Sequence, residues 1–403
     1  MRTMAAGPAA DAPAKRIAWT LAAAAAIGGG ANPVAIGLGG VIGESLLAED
    51  KSLATLPATA FIVGNAVLAA PAALLMARTG RRFGFVSGSL LAAASAALAV
   101  AGLALHSFLV FCLATAGLGA ANAFAQQYRF AAADASAPTF KPKAISIVLI
   151  GGIVAGVIGP QAMIVGRNLL DLPYAGTFAI VVALALASAA VLSTLKVPPP
   201  PPRSADGRSG RPLAAILLRP QFMVAFTCAV ASYALMSLVM TASPLAMIHH
   251  HHSHGDAALG IQWHVIAMFA PSFFTGSLIA RFGKEAVVGA GLALIALGAV
   301  VALSGTGVAH FWTSLILLGV GWNFGFVGGT AMVADCYRPE EAAKVQAANE
   351  VLLFSIVSLA SFSSGKILTA SGWDTINLLV FPVVGGCLVL LAGMRFLPRR
   401  DVA

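Results

Sequence analysis

Long apolar segments recur along the whole chain and alternate with short polar stretches. Each segment has about the 20 residues needed to cross the hydrocarbon core of a bilayer, where backbone polar groups must be satisfied within the segment. The pattern predicts an all-α membrane protein with twelve transmembrane helices, which we call spans 1 to 12. They run over 17–46, 53–77, 83–104, 107–132, 144–166, 173–195, 221–247, 257–280, 286–305, 309–333, 343–368 and 374–396.

The charges are few and concentrated at one side of the predicted membrane. Only 10% of the 403 residues are charged and 59% are apolar, whereas soluble domains have roughly 25% charged residues. This excludes a soluble enzyme and a nucleic-acid binder. Of the 24 Lys and Arg residues, 20 lie in the two tails, the linker or alternate loops, so the positive-inside rule predicts that both termini are cytoplasmic.

A polar segment divides the spans into two sets of six. It contains five consecutive prolines at 198–202, followed by Arg, Ser, Gly and Asp residues, a composition typical of a semi-rigid solvated linker. The sequence therefore predicts an N-terminal six-helix half over 1–195, a cytoplasmic Pro-rich linker over 196–220 and a C-terminal six-helix half over 221–403.

The two halves are related by an internal repeat. The loop at 77–81 after span 2 matches the loop at 280–284 after span 8, which lies 203 residues further on. Asp134 after span 4 and Asp335 after span 10 match at an offset of 201. Parallel repeats of this kind describe secondary transporters, whose substrate site lies between the halves near the bilayer midplane.

The repeated loop resembles the signature G-x-L-x-D-R-x-G-R-R of the major facilitator superfamily, although alanine replaces the acid in both copies. The matching residues are Arg78, Gly80 and Arg81 in the first copy and Arg281, Gly283 and Lys284 in the second. The resemblance implies two pseudo-symmetric six-helix bundles. It also implies a secondary active transporter of the bacterial inner membrane that works by alternating access, not an enzyme.

Three stretches are similar to a bacterial branch of this family that includes a riboflavin uptake transporter. They lie at 127–134, 240–247 and 261–276. This similarity implies import of riboflavin or a similar planar solute. Gly159 and Pro160 in span 5 resemble the end of an antiporter motif, which favours proton-coupled export of amphipathic compounds instead. A third hypothesis, from a different class of function, is a membrane receptor or scaffold that does not transport a solute.

Polar residues inside the spans are the candidate substrate contacts, because such residues are costly in lipid. Asn122 and Gln126 share one face of span 4 with Arg129, at positions i, i+4 and i+7. The other candidates are Asn32, Tyr233, Gln262, Trp263, His264, Trp322 and Asn323. An indole ring can stack on a planar solute. Each candidate also has a structural interpretation, such as helix packing or, for Trp263, an interfacial belt position.

Arg129 and Glu350 are the candidates for proton coupling or a gate. Glu350 is the acid that lies well inside an apolar span, and a carboxylate there can exchange a proton. The alternative is structural, with Arg129 paired to Asp134 and Glu350 paired to Arg129 or Arg338.

Five histidines, His249 to His252 and His254, follow span 7. With no carboxylate near them in sequence beyond Asp256, we predict a solvated loop rather than a metal site, and no cofactor. The chain has no G-x-x-x-x-G-K-[ST] motif, so we predict no ATP drive. The expected partners are a small-molecule substrate, the lipid bilayer and protons.

Overall fold

The computed structural model describes residues 12–137, 140–196, 210–338 and 341–394. The proline run at 198–202, and the tail and linker cations Arg2, Arg203, Arg208, Arg395, Arg399 and Arg400, lie outside the described residues. Every element in the described part of the chain is a helix.

Spans 1 to 6 comprise eight helices, because spans 1 and 4 are each interrupted. The helices are α1 (Ala12–Gly28), α2 (Ala31–Leu46), α3 (Leu56–Thr79), α4 (Arg81–Ala104), α5 (Phe108–Ala125), α6 (Tyr128–Asp134), α7 (Lys141–Gly166) and α8 (Ala175–Ser193). Span 1 is broken at Gly29 and Gly30, and span 4 at Gln126 and Gln127.

Spans 7 to 12 follow a short helix, α9 (Leu213–Leu217). Their helices are α10 (Pro220–His249), α11 (His254–Phe269), α12 (Ser272–Phe282), α13 (Lys284–Leu303), α14 (Val308–Ala334), α15 (Ala342–Leu378) and α16 (Val380–Gly393). Span 8 is bent, since α11 and α12 meet at 44°.

The predicted twelve-span architecture is confirmed. Ten helical stretches in the described residues are long and apolar enough to cross a membrane, and the bent pair of span 8 makes eleven. The last of these stretches joins α15 and α16 and covers the 50 residues Lys344–Gly393, which is about 75 Å of helix and more than twice the bilayer core. Gly372 interrupts it with a φ of 79°, so this stretch contains both span 11 and span 12.

Contacts divide the chain into two compact units. The first contains the described residues up to Gly39 and from Ala60 to the linker, and the second contains Gly40–Thr59 and the described residues after the linker. The end of span 1, the start of span 2 and the loop between them therefore belong to the second unit. The domain boundaries given above place this segment in the first half, and they stay a prediction.

Glycines permit very close helix packing within each unit. A Cβ atom on Gly119 of span 4 would lie 1.8 Å from the carbonyl oxygen of Phe61 in span 2. In the second unit a Cβ on Gly291 of span 9 would lie 2.4 Å from the backbone nitrogen of Gly325 in span 10. Backbone-to-backbone contact is how transmembrane helices associate where lipid provides no hydrophobic driving force.

Candidate functional site

Three asparagine amides connect spans 1, 4 and 2 in the first unit. Asn32 Nδ2 donates to Asn122 Oδ1 at 2.8 Å, and Asn122 Nδ2 donates to Asn65 Oδ1 at 3.1 Å. Asn32 follows directly on the break in span 1, which brings its side chain to the face of α5. Asn122, the first residue of the polar stripe predicted on span 4, is therefore hydrogen-bonded to two neighbouring spans. Asn65 was missed from sequence, although it is an amide inside an apolar span.

The second unit carries a related arrangement at the repeat-equivalent position. Asn323 lies 201 residues after Asn122 and is fully buried. Its Nδ2 donates to the Met268 carbonyl and to Ser272 Oγ, both at 2.7 Å. Its Oδ1 accepts from Thr275 Oγ1 at 2.6 Å, a hydroxyl that also reaches the carbonyl of Pro271. Asn323 thus joins span 10 to both helices at the bend of span 8.

Four aromatic rings from spans 7, 10 and 11 meet in the second unit. Trp322 stacks on Phe326 with ring centroids 5.2 Å apart and planes 16° apart. Tyr233 contacts both rings edge-on and also reaches Phe354, at centroid distances of 5.1 to 5.9 Å. Trp322 Nε1 is buried without a hydrogen-bond partner, which is costly unless another group supplies an acceptor. We call Tyr233, Trp322, Phe326 and Phe354 the aromatic cluster.

The polar residues of span 8 have different surroundings. His264 is fully buried, and its Nδ1 lies 2.7 Å from the Leu315 carbonyl of span 10. Nδ1 is therefore the protonated nitrogen, since a carbonyl only accepts, and Nε2 is an acceptor buried without a donor. Gln262 is buried, whereas Trp263 is 42% exposed. An exposed indole on a span agrees with the belt interpretation.

The signature loops carry the same ion pair in both units. Arg81 pairs with Asp134 in the first unit, and Lys284 pairs with Asp335 in the second. Gly80 and Gly283 precede the two cations with φ values of 90° and 86°, a left-handed conformation that favours glycine. Each loop cation therefore has an acidic partner that follows span 4 or span 10, although the signature's own acid is absent.

The other signature cations and the predicted gate residues lie at exposed positions. Arg78 and Arg281 are exposed, and the Arg281 guanidinium lies over the Phe282 ring at 5.2 Å. Arg129 is exposed, with its guanidinium 4.9 Å from the Phe130 ring centroid. Gln126 is exposed at the break in span 4, and Glu350 is exposed on span 11. Their roles stay predictions.

A carboxylate missed from sequence anchors the end of the linker. Glu341 is fully buried and accepts hydrogen bonds from the backbone N, Nε and Nη2 of Arg211 and from the backbone N of Arg338. The Arg211 hydrogen bonds hold the pKa of this carboxyl well below its usual range, against the opposing effect of burial. Lys344 Nζ also donates to the Arg211 carbonyl oxygen.

The histidine loop after span 7 makes specific contacts. His249 Nε2 lies 2.9 Å from Glu44 Oε1, and His252 Nε2 lies 2.6 Å from the Thr306 carbonyl. Ser253 and Asp256 form a capping box at the start of α11. Within the described ranges, no group of three or more His, Cys, Asp or Glu side chains is arranged to hold a metal ion.

These features define a class of protein. Two bundles of transmembrane helices with repeat-related loops, ion pairs and buried amides are the architecture of a secondary transporter of small molecules. The model of the Major Facilitator Superfamily matches residues 18–269 and 225–403. The chain belongs to the Major Facilitator Superfamily.

Relatives of known sequence span nearly the whole chain. The chain is 48% identical over 392 residues to the protein named Riboflavin transporter RfnT of Brucella anthropi, covering 97% of this chain and 98% of that one. It is 28% identical to YdeG of Bacillus subtilis, an uncharacterized MFS-type transporter, over 94% of this chain and 90% of that protein. The family and these relatives are transporters rather than enzymes.

Solved structures share the fold at low sequence identity. The fucose:proton symporter FucP of E. coli superposes with a TM-score of 0.61 at 15% identity, over 96% of this chain and 98% of that one. The human organic anion transporter MFSD10 superposes with a TM-score of 0.62 at 14% identity, over 94% and 99%. At these identities the likeness shows the fold alone.

Proposed function

We propose that this transporter imports riboflavin across the bacterial inner membrane, with both termini in the cytoplasm. The observation that carries the proposal is the 48% identity to a riboflavin transporter along 97% of this chain. The placement of 20 of the 24 Lys and Arg residues supports the orientation.

The aromatic cluster suits the isoalloxazine ring of riboflavin. That ring is planar and apolar on its faces, and it carries carbonyl and imine acceptors along its edge. Trp322 and Phe326 offer stacked rings, and Trp322 Nε1 is a buried donor without a partner. A carbonyl of the ring would satisfy this donor, and the half-buried Tyr233, Phe326 and Phe354 would contact its faces.

Asn32 and Asn122 are the contacts proposed for the first half, and Gln126 lies one turn beyond Asn122. Amides can pair with the ribityl hydroxyls, because each amide both donates and accepts. Gln262, His264 and Asn323 are kept as lesser candidates because they are buried, whereas Asn32 and Asn122 are partly exposed. Trp263 is also a lesser candidate, because its exposure fits a belt position. Glu350 and Arg129 are kept as candidates for proton coupling and the gate.

The test is growth rescue and labelled riboflavin uptake in a riboflavin-auxotrophic bacterium that lacks its own transporter. Wild-type protein should give saturable uptake. The Trp322→Ala variant should raise KM about tenfold or more, because it loses ring stacking worth roughly 0.5–1.5 kcal/mol and a hydrogen bond worth roughly 1 kcal/mol. Trp322→Phe keeps the stacking and should raise KM less.

The matched control is Trp312→Phe, on the same helix. Trp312 Nε1 donates to the Asp256 carbonyl at 2.9 Å, and the residue lies outside the aromatic cluster. The KM of the Trp312→Phe variant should therefore stay near that of the wild type. Uptake no higher than with empty vector, with the protein confirmed in the membrane, would remove riboflavin as the substrate. Energy-dependent loss of a preloaded amphipathic dye would then favour export.

A further inference from the structure

A half-open cavity lies in the first unit, between the start of α1 in span 1 and the end of α8 in span 6. Its volume is about 360 Å³, which falls within the roughly 300–1,000 Å³ range of small-molecule sites. Its lining combines buried apolar side chains with two hydroxyls and two cations. These groups belong to Arg16, Ile17, Thr20, Thr194, Leu195 and Lys196. We call this space the basic cavity.

The two cations of the basic cavity have no acidic partner among the described residues. Arg16 lies on α1 and Lys196 follows α8, and both are exposed. No acid lines the cavity, and the ion pairs within the described ranges all involve other cations. Two positive charges on one cavity, with no described counter-charge, favour an anionic ligand.

The two threonine hydroxyls of the basic cavity offer acceptors to a ligand. Thr20 Oγ1 donates to the Arg16 carbonyl at 2.9 Å, and Thr194 Oγ1 donates to the Val191 carbonyl at 2.7 Å. Each hydroxyl has thus given its proton to the backbone of its own segment and keeps lone pairs for a donor on the ligand. The cavity therefore suits a ligand that carries both a negative charge and hydroxyl groups.

The basic cavity lies at the level of the lipid headgroups. Trp19 is 48% exposed and follows Arg16 by three residues, or about 4.5 Å along the helix. An exposed indole on a span is typical of the membrane interface. On the other side of the cavity, Lys196 comes just after α8 ends at Ser193. Both cations are therefore at span ends, where Lys and Arg meet lipid phosphates.

An exposed apolar surface leads from the basic cavity along span 6. Leu186 is 49% exposed, and Ala190 and Ser193 are exposed as well. Because these three residues have the spacing i, i+4 and i+7, they form one face of α8, which ends next to Thr194. Exposed apolar surface beside polar groups is typical of membrane contact sites. A ligand whose charged group enters the cavity can therefore extend an acyl chain along this face.

We propose that the basic cavity binds the headgroup of an anionic glycerophospholipid, the class to which phosphatidylglycerol belongs. The planar guanidinium of Arg16 donates paired N–H groups to the phosphate, and Lys196 adds a second positive charge. Hydroxyls of a glycerol headgroup donate to Thr20 and Thr194, and an acyl chain lies along span 6. The orientation proposed above places the site in the cytoplasmic leaflet, where basic pockets between spans bind anionic headgroups.

The binding test is native mass spectrometry of the purified, delipidated full-length protein in detergent. The protein is titrated with phosphatidylglycerol or with phosphatidylcholine of the same acyl chains. The tightest phosphatidylglycerol should bind about tenfold or more strongly than phosphatidylcholine, because two cations act on a headgroup with a net charge. Arg16→Gln and Lys196→Gln should each weaken this phosphatidylglycerol site about fivefold, since each removes one cation near the phosphate.

Lys15→Gln is the matched control for these variants. Lys15 is the neighbour of Arg16 on α1 and is exposed, but it does not line the basic cavity. The affinity of this variant for phosphatidylglycerol should stay within about twofold of the wild type. A loss in Lys15→Gln as large as that in Arg16→Gln would overturn the proposal, because unspecific surface attraction would then explain the binding. Equal affinity of the wild type for the two lipids would also overturn it.

A competition experiment separates a lipid from a soluble phosphate ester. Glycerol phosphate carries the same phosphate and hydroxyl groups without acyl chains, so a large molar excess should displace little of the bound phosphatidylglycerol. Complete displacement would overturn the lipid as the ligand. The Tm values of both variants in phosphatidylcholine should match that of the wild type, because the two substituted cations are exposed. None of these measurements uses riboflavin, so the lipid site and the proposed substrate are tested separately.

Discussion

Truncating Asn122 to alanine removes the centre of the amide chain in the first unit. The side chain makes two hydrogen bonds to neighbouring spans, at 2.8 Å to Asn32 and 3.1 Å to Asn65. Side-chain hydrogen bonds between transmembrane helices contribute about 0.6 kcal/mol on average. Asn122→Ala should therefore lower the free energy of unfolding by about 1.2 kcal/mol, or about eightfold in the equilibrium constant.

The assay is reversible unfolding in detergent micelles, extended to a double-mutant cycle. Asn32→Ala alone should cost about 0.6 kcal/mol, because it removes one bond. The double variant Asn32→Ala/Asn122→Ala should cost no more than Asn122→Ala, since the shared bond is lost only once. Additive costs, summing to about 1.8 kcal/mol, would refute the direct Asn32–Asn122 contact.

The repeat provides an internal comparison for this reasoning. Asn323 occupies the equivalent position, is fully buried and makes three hydrogen bonds at 2.6 to 2.7 Å. Asn323→Ala should cost about 1.8 kcal/mol or more. A smaller cost than that of Asn122→Ala would contradict the assignment of Asn323 as the more structural of the two amides.

Two further predictions concern the charged groups at the loops. Asp134 is about half exposed, so Asp134→Asn should lower the free energy of unfolding by less than about 1 kcal/mol. Arg81→Asp places two acids together and should reduce transport severalfold. The charge swap Arg81→Asp/Asp134→Arg should restore much of the transport. A swap no more active than Arg81→Asp would exclude the pair as a working contact. Glu341 has a lowered pKa in the fold, so its stabilising effect is complete above the unfolded pKa near 4.3 and is lost as pH falls further. Glu341→Gln should lower Tm by a few degrees at pH 7 and pH 5.5. This difference should become smaller between pH 4 and pH 3 without vanishing, because the lowered pKa keeps the native carboxylate ionised there. A difference as large at pH 3 as at pH 7 would contradict the assignment.

Hydrophobic length and repetition were sufficient to predict the architecture. Twelve segments of about 20 apolar residues and a repeat of about 200 residues already imply two bundles of six helices. The equivalence of Gly80 with Gly283 was also readable, and both glycines have the left-handed φ that the tight turn needs. Equivalent positions in the two repeats can be matched from the sequence alone, so this part of the prediction does not require the fold.

Partners across helices could not be predicted in the same way. Helical spacing placed Asn122 and Gln126 on one face, but it could not show that Asn122 bonds to Asn65 or that the helix breaks at Gln126. Glu341 was overlooked because a carboxylate in a polar loop is ordinarily solvated, whereas here Arg211 covers it.

The most direct test of the central claim is counterflow of labelled riboflavin into liposomes that contain only the purified protein. Liposomes preloaded with unlabelled riboflavin should accumulate label transiently and saturably, and the Trp322→Ala variant should do so with a clearly higher KM. Label entry equal to that of protein-free liposomes, with the protein shown to be folded and inserted, would contradict the account.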